Sequence, residues 1–186
     1  MRHPTFPAAR LSPLLPAAAL CALLAGCQVG LPFDLARDVQ VDETASDSVG
    51  MLFHLDLAEA AALQTAGRGP VRALTLDSAD VTVTQVDTDA GQNQAKSVSG
   101  TLRLRPAGAT GTSGDAVVGS FAGLRLQPGA VAHLEGTEAA SALLLAAHAK
   151  DGRFQVALDC TLDDGRPAHV VLWVALHASA GYHSGL

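Results

Sequence analysis

The sequence predicts a mostly β protein. It reads as a β-sandwich, jelly-roll or Greek-key-like, of about seven to nine strands with two short helices. Three observations carry that expectation. Apolar and polar residues alternate with period two in several segments, such as Val81 and Val83 against Thr82 and Thr84. Turn signals recur about every 8 to 12 residues between the short strands. The run Val170 to Leu176 is apolar on both faces, as expected of a strand flanked by neighbours in its sheet.

Taken in order, residues 27–37 read as a short tether, 38–180 as a single sandwich domain and 181–186 as a tail. "TASDSVG" reads as a loop. "HLDLAEAAALQTAGRG" predicts a helix of about nine or ten residues, because Asp56 and Glu59 have capping-box spacing and Gly67 suits a stop. "VRALTLDSADVTVTQVD" predicts two short strands around Ser78-Ala79, followed by a polar loop from Asp87. "SVSGTLRLRP" predicts a strand with Val98, Leu102 and Leu104 on one face and Arg103 and Arg105 on the other, ended by Pro106. A glycine-rich loop follows, then two strands about the Pro128-Gly129 turn.

"TEAASALLLAAHAKDG" favours a helix over a strand: Thr137 suits the N-cap, Lys150 the last turn and Gly152 the C-terminal stop. In the strand that follows, Phe154, Val156, Leu158, Cys160 and Leu162 share one face. Gln155, Asp159, Thr161 and Asp163 share the other. Asp163-Asp164-Gly165-Arg166-Pro167 reads as a hairpin loop into the final apolar strand.

The first 26 residues have a different character. Arg2 and Arg10 open the chain without an acid, and Leu11 to Gly26 is uncharged and almost wholly apolar. That is the layout of a secretory signal, and the core is too short to span a bilayer. Leu24-Ala25-Gly26-Cys27 resembles the lipobox of bacterial lipoproteins. The resemblance implies cleavage between Gly26 and Cys27 and acylation of Cys27. It also implies, from Gln28 in place of an aspartate, sorting to the outer membrane. Two or more acyl chains anchor a protein stably where one does not.

Cleavage there removes two of twelve basic residues and none of the eighteen acids, so the net charge moves from −6 to −8. An acidic domain has no electrostatic grip on nucleic acid or on anionic lipid. The expected partners are therefore the membrane, through the acyl chains, and an envelope protein or ligand. Of three cysteines, Cys21 leaves with the signal and Cys27 is committed to lipid. Cys160 then stands alone, and the fold rests on its core without a disulfide.

No catalytic motif and no cofactor site emerge. Asp87 and Asp89 match the first ligand positions of a calcium loop, but Gly91 falls one place early and Val98 stands where a bidentate glutamate belongs. They remain weak cation candidates, and no metal is assigned. His54, His133, His148, His169, His177 and His183 are scattered; His169 and His177 bracket one strand about 26 Å apart, too far to share a metal. Cys160 reads as a core thiol and Trp173 as core. Ser120 and Ser184 lie in no nucleophile elbow, and Tyr182 completes a sparse aromatic set. The leading expectation is a non-enzymatic, lipid-anchored envelope sandwich. The alternatives are a carrier of a small apolar molecule between the sheets and a carboxylate hydrolase built on Asp159, Asp163 and Asp164.

Overall fold

The computed structural model describes residues 28–43, 48–64, 70–87 and 93–183. Gly26 and Cys27, Asp89, Ser184 and the side chain of His183 lie outside the described residues. Eight strands are present: β1 (Gln28–Glu43), β2 (Ser48–Asp56), β3 (Val71–Val86), β4 (Ser97–Pro106), β5 (Ala116–Arg125), β6 (Val131–Glu135), β7 (Arg153–Leu162) and β8 (Ala168–His183). They form two antiparallel sheets, ordered β1-β8-β3-β6 and β2-β7-β4-β5. Only β4 and β5 are consecutive neighbours in one sheet. Every other connection crosses the sandwich, which is the winding of an eight-stranded jelly roll.

The period-two pattern explains the core. Val81 and Val83 of β3, Leu102 and Leu104 of β4, Phe154, Val156 and Leu158 of β7, and Leu172 and Val174 of β8 all point between the sheets and are fully buried. One helix, α1 (Glu138–Lys150), closes a side of this core with Ala140, Leu144 and Ala147. Thr137 caps it as expected: its Oγ1 accepts from the Ala140 N–H at 3.2 Å. Gly152, at φ +78°, ends it, its N–H donating to the Ala147 carbonyl at 2.8 Å. Among the described residues no helix is long and apolar enough to cross a membrane.

Several local expectations are corrected. Residues 28–37 are no tether; they belong to β1, which pairs with β8 without interruption from Gln28↔His183 to Glu43↔Ala168. Phe33 and Leu35 are buried from this segment, and that burial draws it into the sheet. Residues 181–183 are likewise strand, not tail. Residues 71–86 form one strand, not two, with a register shift at Leu76/Ser78. The helix supplies the missing partner there: the Leu76 N–H donates to Ser141 Oγ at 3.0 Å, and the Ser141 hydroxyl donates to the Thr137 carbonyl at 2.9 Å.

The first helix is replaced by two 3₁₀ turns, Leu57–Glu59 and Ala61–Leu63. Asp56 does cap, accepting from the Ala58 N–H at 2.8 Å. Ala60 between them is extended, at φ −79° and ψ 106°, which splits the segment into two separate turns that lay Leu57, Ala60 and Leu63 against the core. The Leu57 N–H is also held by the Gly152 carbonyl at 2.8 Å. Finally, 163–167 is a turn, but no hairpin: β7 and β8 lie in opposite sheets, so it carries the chain across the sandwich.

Candidate binding face

β8 sits between β1 and β3, so its outward residues form the centre of an exposed sheet face. Val171, Trp173, Ala175, His177 and Ser179 alternate outward, while Leu172, Val174, Leu176 and Ala178 point into the core. Trp173 was expected in the core; it is 38% exposed, with Asp38 and Thr82 as its register partners on β1 and β3. The apolar run reads as buried on both faces, yet this residue is partly exposed on the outer side of the sheet.

Beside Trp173 a line of carboxylates and imidazoles crosses all four strands. His177 faces Asp34 of β1 with Nδ1 2.7 Å from Oδ1, and its Nε2 lies 3.3 Å from Asp80 Oδ2 of β3. The other oxygen of Asp80 is 2.6 Å from His133 Nδ1 on β6. His133 Nε2 is 3.6 Å from Glu135 Oε1. The direct register pairs Asp34↔His177 and Asp80↔His133 set this order. A neutral imidazole has one N–H, so His177 satisfies both carboxylates only as an imidazolium. The hydrogen bond to Asp34 raises its pKa above the ordinary value; partial burial opposes, and Asp80 adds to the rise. Next along β8, the Ser179 hydroxyl donates to Asp77 at 3.3 Å.

The face therefore offers one flat aromatic surface, set among carboxylates and imidazoles. Such a surface attracts a cationic or hydrogen-bond-donating ligand through charge and through the ring.

The remaining candidates sit elsewhere. On the outer face of the other sheet Arg103 is paired with Asp159, and the Ser99 hydroxyl donates to Asp163 at 2.7 Å. Asp164 is exposed in the turn, so the three acids are spread over a strand and its end rather than gathered about a cleft. Arg105 and Asp115 make a bidentate pair at 2.8 Å for both bonds, and each raises or lowers the other's pKa toward its charged form. Ser120 shares a 2.9 Å hydrogen bond with Thr101. His54 Nε2 meets the buried Gln155 Nε2 at 2.9 Å, and His148 lies on α1.

Cys160 is 2% exposed, and burial pushes its thiol up to about 12, which makes it inert. Tyr182 is buried. Asp87 is exposed at the end of β3, its N–H donating to the His169 carbonyl at 2.9 Å. Among the described residues no three His, Cys, Asp or Glu side chains converge as a metal site. A surface recess of about 240 Å³ lies beside Gln40, Gln85 and His169.

The sequence reading missed the His177–Asp80–His133 line. Its one local trace is that Asp34, Asp80, His133 and His177 fall at outward positions of their strands.

No protein-family model matches the chain, and no curated protein matches it either. Several solved structures of viral proteins are similar at low identity. The decameric BFDV capsid protein matches at TM-score 0.42 and 9% identity, over 83% of this chain and 99% of that one. Desmodium yellow mottle tymovirus matches at 0.35 and 10%, over 98% of each chain. The infectious bursal disease virus Gx strain matches at 0.39 and 15%, over 97% of this chain and 38% of that one.

Proposed function

We propose that this chain is a non-enzymatic lipoprotein of the bacterial cell envelope, held at the outer membrane by acyl chains on Cys27. Its jelly roll then binds an envelope ligand or protein through the face around Trp173 and His177. The observation that carries the anchor is Leu24-Ala25-Gly26-Cys27 at the end of an uncharged apolar segment. In this reading the strand described from Gln28, next to Cys27, keeps the sandwich close to the membrane surface. The binding role rests on Trp173, 38% exposed on a face that also carries Asp34, Asp38 and Asp80.

Intact mass and membrane fractionation of the wild type and Cys27→Ser in a diderm host test this reading. The wild type should carry diacylglyceryl and a further acyl chain on residue 27 and fractionate with the outer membrane, and the variant should do neither. Two soluble products cut at the same bond, with no added mass, would overturn it.

A further inference from the structure

A sheet edge offers unpaired N–H and C=O groups to any passing strand, and natural edges carry devices against this. Three of the four edges here are so protected. β1 bears Pro32, Asp34, Arg37 and Asp38. β5 is interrupted by two register shifts against β4. β6 is five residues long.

Among the described residues, β2 has none of these devices. Its nine residues, Ser-Val-Gly-Met-Leu-Phe-His-Leu-Asp, pair with β7 in unbroken register. They contain no proline, no lysine or arginine, and one acid at the very end. Leu52 is 50% exposed on the outer face, and Val49, Met51 and Phe53 are only half-buried on the inner face.

We propose that the β2 edge is a homodimer interface, in which β2 of a second copy adds antiparallel across a two-fold axis at Leu52 to make one continuous eight-stranded sheet. The occupant follows from the sequence of the edge. Directly opposed residues share a face, so the axis must pass through a residue rather than between two. An axis at Leu52 engages all nine residues; an axis at Met51 or Phe53 leaves two of them without an opposite number in the strand.

At Leu52 every opposed pair is compatible. Val49 meets Leu55 and Met51 meets Phe53 on the inner face, extending both cores. Gly50 meets His54, Leu52 meets Leu52 and Ser48 meets Asp56 on the outer face. No like charges are opposed, and a strongly basic partner strand would find only Asp56, at the very end of the edge, as a counter-charge. The area of one strand pair is small, so the dimer is a weak one that fills with concentration. The inference is independent of the lipid anchor.

Sedimentation of the full chain carrying Cys21→Ser and Cys27→Ser tests the dimer from about 1 µM to about 100 µM. The sedimentation coefficient should rise over that span, and adding Leu52→Lys, which opposes two ammonium groups at the axis, should weaken association about tenfold or more. In the same background Leu52→Cys should form a disulfide-linked dimer on mild oxidation, since opposed Cα atoms about 5 Å apart suit the bond. His54→Cys should not, because the two thiols would stand about 13 Å apart. Circular dichroism confirms that each variant is folded; neither Leu52 nor His54 belongs to the buried core. A monomer throughout, no crosslink at Leu52→Cys, an unchanged dimer with Leu52→Lys, or equal crosslinking at His54→Cys would each overturn the proposal.

Discussion

His177 and Asp34, 143 positions apart in sequence, meet across the β1–β8 ladder with Nδ1 2.7 Å from Oδ1. Asp80 takes the other ring nitrogen. Because the folded-state pKa of His177 lies above its unfolded value, protonation and folding favour each other. The contribution is complete below about pH 6.5 and fades as pH rises through the folded pKa. NMR titration of the imidazole should place its midpoint above the ordinary range. Asp34→Asn should lower that midpoint and shrink the stability difference between pH 6 and pH 8. An unshifted midpoint in the wild type would show that the pair does not persist in solution.

Asp115 and Arg105 predict the opposite limb. The hydrogen bond from Arg105 holds the Asp115 carboxyl below its usual range, so this pair adds stability above about pH 3.9 and loses it as pH falls through the folded pKa. Asp115→Asn should lower Tm at pH 7 and flatten the acid side of the stability profile, measured by thermal unfolding from pH 2 to pH 7.

Gly136 lies where β6 hands the chain to α1, and its N–H donates to the Asp77 carbonyl at 2.9 Å. A Cβ there would stand 1.7 Å from the Leu76 carbonyl oxygen. Gly136→Ala should therefore cost about 3 kcal/mol or more in urea unfolding. Gly30→Ala, which meets nothing within 4 Å, should be close to neutral.

Cys160 should resist alkylation at pH 8 in the native chain and react on unfolding, given a thiol pushed up to about 12. Cys160→Ser places a hydroxyl on the same 2%-exposed site and should cost about 1 to 3 kcal/mol. Rapid native alkylation would contradict the burial.

Trp173 is the only tryptophan, so its emission reports directly on the proposed binding face. Acrylamide should quench it readily, and Trp173→Ala should change stability by about 1 kcal/mol or less. A cationic ligand that binds the face should blue-shift or quench the emission of the wild type, and Asp38→Asn should weaken that response.

Alternation at Val81–Thr84, at Leu102–Arg105 and along Phe154–Leu162 made the strands legible, because period two is a local property of the chain. Thr137 and Gly152 made α1 legible through its caps. The partition of strands between sheets was not legible: Asp163–Pro167 has hairpin chemistry, but the strands it joins find their partners far away in sequence. Leu57, Ala60 and Leu63 show the same limit on a smaller scale. Their spacing suits either helix, and the core decided for 3₁₀ turns. The His177–Asp34 contact depends on a sixteen-residue register, which no local pattern contains.

The central strand of the first sheet is also the last to be made. β1 has no partner in its sheet until β8 arrives, since the order is β1-β8-β3-β6. A chain delivered from its N-terminus must hold β1 and the open flank of β3 unpaired until residues 168–183 follow. Folding is thus gated by the final segment, with the slow, non-local closure expected of high contact order. A chain cut short before residue 168 would leave two long strands edge-exposed at once, a substrate for proteolysis or aggregation rather than a smaller sandwich.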